Sequence, residues 1–233
     1  MKLARRAGQS LYPYLRLLLP QLDRARQTYS VKEKSIARDL ISVLALDPKK
    51  HSAAKRLLES GRYGGFGGGG TATASTDFAS VVGDVLRGRC GSGRREPLNL
   101  REINDVLDRM ASAADTTARQ AILKQLLLDC TASEIMWLVR IIMKDLKLKL
   151  RHEGILQFYH PDAMDFYNST TDLRALGAYL FYASQSNRVK RSLKLMTPFS
   201  PMLCEMLKFS KKDTKFMKGE PFFIEDKLDG ERM

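Results

Sequence analysis

The sequence is poor in the residues that build metal centres, covalent frameworks and membrane spans. Among 233 residues there are three cysteines, Cys90, Cys130 and Cys204, and three histidines, His51, His152 and His160. The cysteines are odd in number and far apart, which excludes a disulfide framework and a zinc-ligand spacing and fits a reducing compartment. The histidines form no cluster along the chain. No run approaches the roughly 20 apolar residues that a spanning helix needs. The start, MKLARRAGQSLYPYLRLLLP, is basic and then apolar, but its apolar run is short and contains Arg16. No small-residue cleavage site follows, so the segment reads against an export signal. Acidic residues are also in deficit: 26 Asp and Glu face 39 Lys and Arg, a formal net charge of +13. Such a balance points to a polyanionic partner, nucleic acid ahead of an anionic membrane surface.

What is present is enough for a core. Apolar residues make up 44% of the chain, a globular value, and the length suits one large domain or one domain plus the start of another. Most of the chain has helical periodicity. Leu11 to Leu22 is leucine-rich and punctuated by Pro13 and Pro20, the second of which ends that element or opens the next. Val31 to Leu46 is amphipathic, with Val31, Ile36, Leu40, Val43 and Leu44 near helical spacing. Ser52 to Ser60 and Asp77 to Leu86 predict further helices. Between them, residues 61–75 carry the run GGFGGGG and then small polar residues, the composition of a flexible loop. No Lys-Ser/Thr follows the glycines, so the run is not a phosphate-binding P-loop.

Beyond a basic loop at 88–97, Asn99 with Glu102 and Thr131 with Glu134 have the spacing of capping boxes. They predict helices lined by Ile103, Val106, Leu107 and Met110 in one case and by Ile135, Leu138, Val139, Ile142 and Leu146 in the other. Asp115 to Asp129 forms a helix between them. Arg140, Lys144 and Lys147 recur at three- and four-residue spacing along another face of the second capped helix. Such a stripe suits a solvated face or a ladder of cations along a phosphate backbone equally well. His152 to His160, Asp162 to Asn168 and Asp172 to Tyr182 complete the helical region. Residues 188–218 then carry nine Lys or Arg against Glu205 and Asp213 and read as a basic linker and flanking surface.

The last segment changes character. Pro221 is followed by Phe222, Phe223 and Ile224, the first strand signal in the chain. Directly after it, Lys227, Asp229, Gly230 and Arg232 spell K-x-D-G-x-R. Asp-Gly alone could be an ordinary hairpin turn. Placed at a strand end, the motif also suits phosphorus chemistry. A lysine made neutral by burial or by nearby cations can attack a phosphate. An arginine presents a planar fork to phosphate or ribose oxygens, and a glycine permits a close turn.

This motif resembles the first motif of the lysine-adenylating nucleotidyltransferases, which comprise DNA ligases, RNA ligases and capping enzymes. A helical region of this length ahead of the lysine is similar to that of the large ATP-dependent DNA ligases. The segments LYPYLRLLLPQLDRAR, WLVRIIMKDLKL at 137–148, NSTTDL at 168–173, PFSPML at 198–203 and FFIEDKLDGERM at the end resemble, in order, the branch of that family that serves non-homologous end joining. The resemblance implies an all-α, multi-helix DNA-binding domain over residues 1–194. The first strand of an α+β nucleotidyltransferase domain would follow within 195–233. It implies that Lys227 carries AMP taken from ATP. Glu225, Asp226, Leu228 and Arg232 would line the nucleotide site, and Arg140, Lys144 and Lys147 would contact duplex DNA at a nick or break.

Magnesium is expected with ATP, on ligands in the family's later motifs, which this chain does not contain. The chain is accordingly expected to bind DNA and not to seal it. A coiled-coil scaffold protein of end joining is the implied partner of the whole ligase, and the nucleus its compartment. The family's helices ahead of LYPYL, which help bind the Artemis nuclease, are short here, so the resemblance does not carry that contact over. Where the family has glycine after K-D-L-K-L, this chain has Lys149, and the end of that helix is left open. Two alternatives remain at this stage: a helical nucleic-acid-binding module without catalysis, and another lysine-nucleotidylating enzyme.

Overall fold

In the computed structural model the described residues are 10–26, 28, 29, 31–60, 77–90, 97–183 and 198–200. The chain divides into two compact units, Met1–Ser200 and Pro201–Met233. The glycine-rich stretch at 61–75, most of the basic loop at 88–97, the expected strand at 221–224 and the lysine motif lie outside the described residues.

Among the described residues the first unit is all-helical. Its elements are α1 (Tyr12–Leu18), a 3-10 turn (Arg24–Arg26), α2 (Glu33–Val43), α3 (Ser52–Ser60), α4 (Phe78–Leu86), α5 (Leu100–Ser112), α6 (Thr116–Asp129), α7 (Ala132–Ile142), α8 (His152–Tyr159), α9 (Ala163–Thr170) and α10 (Leu173–Ala183). The caps lie where the sequence places them. Asn99 and Glu102 form a full capping box on α5, and Thr131 and Glu134 form one on α7. Asp77 and Asp115 cap α4 and α6. Each supplies an acceptor to backbone donors that have no partner within the helix. Pro13 stands in the first turn of α1, where its missing N–H costs nothing.

Two hydrophobic clusters hold the helices. The larger gathers α2 to α7 around Leu40, Leu57, Val82, Leu86, Leu107 and Ile135. Within it α4 and α7 pack closely, so that a Cβ on Gly83 would lie 3.3 Å from the Cβ of Met136. The smaller joins α1 to α8, α9 and α10 around Leu15, Leu19, Leu156, Ala163 and Leu176. Here α10 lies so close to α1 that a Cβ on Gly177 would sit 2.7 Å from the Tyr12 backbone nitrogen.

An ionic network, buried at Arg16, Arg26 and Asp23 and half-exposed at Asp108, ties the clusters together. Arg16 on α1 meets Asp23 at 2.8 Å and Asp108 on α5 at 2.8 Å. Arg26, only 2% exposed, meets Asp108 at 2.7 Å and donates to the backbone and side-chain oxygens of Asn104. The arginine that interrupts the first apolar run is thus a buried tie between two cores. A charge in such a place is tolerated because its partners are charged and close.

The second capped helix is shorter than its pattern suggests. Lys144, Leu146 and Lys147 continue the periodicity, yet α7 stops at Ile142. The Lys144 amide donates to the Ile141 carbonyl at 3.0 Å and the Asp145 amide to the Arg140 carbonyl at 3.0 Å. Lys144 itself is left-handed, with φ 58°. These paired bonds make a Schellman stop, normally signalled by glycine. Here a lysine occupies that position, so no glycine signals the stop in the sequence.

Candidate nucleic-acid interface

The stop after α7 separates the three expected DNA contacts. Arg140 remains on the helix, and Lys144 and Lys147 pass into an irregular strap, residues 143–151, that joins α7 in the larger cluster to α8 in the smaller. Arg140 is engaged within the protein. Its Nε donates to Asp77 Oδ2 at 3.0 Å, and its Nη2 donates to Asp77 Oδ1 at 3.2 Å and to Ser80 Oγ at 3.1 Å. Its guanidinium lies 4.7 Å from the ring centroid of Trp137, which is 42% exposed. Burial pushes the Asp77 carboxyl up, but hydrogen bonds from Arg140 and Ser80 outweigh it and hold the group below the usual carboxylate range.

The strap carries Lys144, Lys147, Lys149 and Arg151 against a single acid, Asp145. Lys147, Lys149 and Arg151 are exposed, and Lys144 is half-buried. Burial draws the Lys144 ammonium below its ordinary value, opposed by the charge of Asp23. Lys147 Nζ lies 2.5 Å from Asp145 Oδ2. That contact raises the lysine and lowers the carboxylate. Both partners are more than half exposed, so the pair is weak and is readily exchanged for a stronger anion.

Three of the four cations adopt left-handed backbone: Lys144, Lys147 and Lys149, with φ of 58°, 55° and 56°. That conformation is unfavourable for a residue with a Cβ and is retained where the surroundings demand it. The strap borders an open cleft of about 500 Å³, closed on its other sides by Leu18, Gln21 and Ile155. The result is a ridge of positive charge beside an apolar recess, presented on a rigid helical frame.

Arg151 escaped the sequence reading, and Lys149 entered it only as a departure from pattern. The signal that could have found both is the period-two alternation LKLKLR at 146–151. It is incompatible with one helix face, and the leucines it sets among the cations, Leu148 and Leu150, are themselves exposed. Glu225, Asp226, Lys227, Leu228 and Arg232 lie outside the described residues. Among the described residues no group of three or more His, Cys, Asp or Glu could hold a metal ion, and no helix is long and apolar enough to cross a membrane.

Among the described residues, an all-helical frame with capped, closely packed helices and a cationic strap suits a polyanionic partner. Comparison with known proteins makes the class specific. The family model for the DNA ligase N terminus matches residues 2–160, and the chain belongs to that family. Over nearly its whole length it is similar to proteins named DNA ligase 4. It is 35% identical to that of Coprinopsis cinerea over 98% of this chain and 22% of the relative. Identity is 36% to that of Cryptococcus neoformans var. neoformans, over 98% and 21%. It is 37% to that of Homo sapiens, over 96% and 24%. The chain thus spans about a fifth to a quarter of the length of these relatives.

Proposed function

We propose that this chain is the DNA-binding portion of an ATP-dependent DNA ligase that works in double-strand break repair by non-homologous end joining. The observation that supports this most is the cationic strap at 143–151, carried by a helical frame of the DNA ligase N-terminal family. Lys144, Lys147, Lys149 and Arg151 contact phosphates of duplex DNA near a nick or break. The grip is largely independent of sequence, because the phosphates recur at every step of the duplex whatever the bases. Arg140 belongs to the DNA-facing set mainly as a support, since Asp77 already offsets its charge. It lies over Trp137 and ties α7 to the start of α4 through Asp77 and Ser80.

In the complete ligase, Lys227 attacks the α-phosphorus of ATP as a neutral amine and releases pyrophosphate. AMP then passes to the 5′-phosphate of the break, and the 3′-hydroxyl displaces it. Glu225, Asp226, Leu228 and Arg232 line the nucleotide site, and Mg²⁺, on ligands of the family's later motifs, would screen the phosphates. The coiled-coil scaffold of end joining is the expected partner and the nucleus the expected compartment.

The decisive experiment is binding to a nicked duplex, an intact duplex and single-stranded RNA across a salt series. The expected result is duplex binding that weakens steeply with salt and hardly responds to sequence. Each phosphate contact contributes about 0.9 to the slope of log affinity against log salt. Alanine at Lys147 or Lys149 lowers that slope by about one each. Absence of duplex binding at low salt, or a preference for RNA, overturns the reading.

A further inference from the structure

Thr171 is, with Ala45, one of two described non-glycine residues outside the cationic strap that adopt left-handed backbone. It caps α9 in the left-handed region, with φ 46° and ψ 30°. It is only 4% exposed. A β-branched residue is out of place in that conformation, so something specific must hold it there. Its amide donates to the Tyr167 carbonyl at 2.6 Å, which closes the helix. Its hydroxyl donates to the Pro198 carbonyl at 2.8 Å. One residue pair away, the Ser200 amide donates at 2.8 Å to the carbonyl of Asn168. That carbonyl lies in the last turn of α9, where acceptors lack a partner within the helix. The two bonds bracket Phe199, whose side chain is 67% exposed. Two distant segments, NSTTDL and PFSPML, are thereby brought together, and Ser200 is the last residue of the helical unit.

We propose that Thr171 is a positioning residue. With the last turn of α9 it latches residues 198–200 and so sets where the chain leaves the helical unit on its way to the lysine motif at 227–232. This rests on the ligase reading above. Lysine adenylation needs only the nucleotide site. Sealing also needs the helical unit that carries the DNA grip and the latch, so the latch acts on sealing and not on adenylation. The hydroxyl, not the shape of the residue, is what the latch requires.

The test separates these roles with two substitutions. Thr171→Gly removes the hydroxyl but suits left-handed backbone better than threonine, so a purely conformational role predicts a protein at least as good as the parent. Thr171→Ser keeps the hydroxyl. In this chain, the expected result is that Thr171→Gly leaves the melting temperature equal or higher yet speeds exchange of the Ser200 amide about fivefold, the size of one ordinary net hydrogen bond. Thr171→Ser should keep the parent rate.

In the complete ligase, Thr171→Gly should lower kcat for nick sealing several-fold. Lysyl-AMP formation and the KM for DNA should stay unchanged, and Thr171→Ser should restore sealing. Unchanged Ser200 exchange in Thr171→Gly overturns the latch, whatever the enzyme assays give. Faster exchange with undiminished sealing overturns the positioning role. Failure of the parent to bind duplex DNA or to adenylate Lys227 instead sinks the ligase reading, and the amide exchange still decides the latch.

Discussion

Lys149 lies at φ 56° in the strap, a conformation that costs an L-residue roughly 1–2 kcal/mol and glycine almost nothing. Lys149→Gly should therefore raise stability by about 1 kcal/mol in urea unfolding while weakening DNA binding at low salt. A loss of stability would mean that the lysine side chain contributes more to the strap than its backbone costs. Arg140 behaves in the opposite way. Its ion pair with Asp77 leaves only 15% and 18% of the two side chains exposed. Removing one partner strands the other, so Arg140→Ala should cost about 1–3 kcal/mol and change the salt slope of DNA binding by less than Lys147→Ala does. If Arg140→Ala instead lowers the slope as much as the strap lysines, Arg140 is a direct phosphate contact.

Helix starts and helix ends differ in how openly the sequence declares them. The starts at which a side chain bonds a backbone donor, as at Asp77, Asn99, Asp115 and Thr131, are visible from that side chain. The ends of α2 and α7 are not. Both close on paired backbone bonds around a left-handed residue, Ala45 at φ 51° and Lys144 at φ 58°, and neither is the glycine that normally marks such a stop. The cationic pattern running past Ile142 therefore reads as a continuing helix, although the strap begins there. Contacts between elements are equally hidden. Gly177 looks like a poor helix residue in sequence, yet it is the point at which α10 meets the backbone of α1. Gly177→Ala should cost about 1–3 kcal/mol through overpacking, despite the better helix propensity of alanine. A gain in melting temperature would show that the two helices separate freely.

At the scale of the molecule, two cores are tied by Arg16, Arg26, Asp23, Asn104 and Asp108, and the strap runs between them. Burial pushes the Asp108 carboxyl up, but hydrogen bonds from Arg26 and Arg16 outweigh it and hold the group below the usual range. Asp77 is depressed likewise. Groups that bind protons less readily when folded stabilise the fold above their unfolded value, about 3.9, and that contribution is lost as pH falls through the lower folded values. The urea midpoint should therefore fall as pH drops below about 4. Asp108→Asn should lower the midpoint at pH 7 and shallow its acid decline. An unaltered acid profile in Asp108→Asn would remove Asp108 from the account.

The sequence by itself determined the helical class, most helix starts and the basic character of the surface, because periodicity, caps and net charge are local or additive properties. It also carried the segments that resemble the end-joining ligases. Only the tertiary structure decided that Arg140 turns inward to Asp77, that Arg16 and Arg26 are buried, and that Lys149 and Arg151 join Lys144 and Lys147 on one strap. Each of these depends on which residues from distant positions share a low-dielectric space. A charge is settled by the partner it finds there, and no spacing along the chain states which partner that will be.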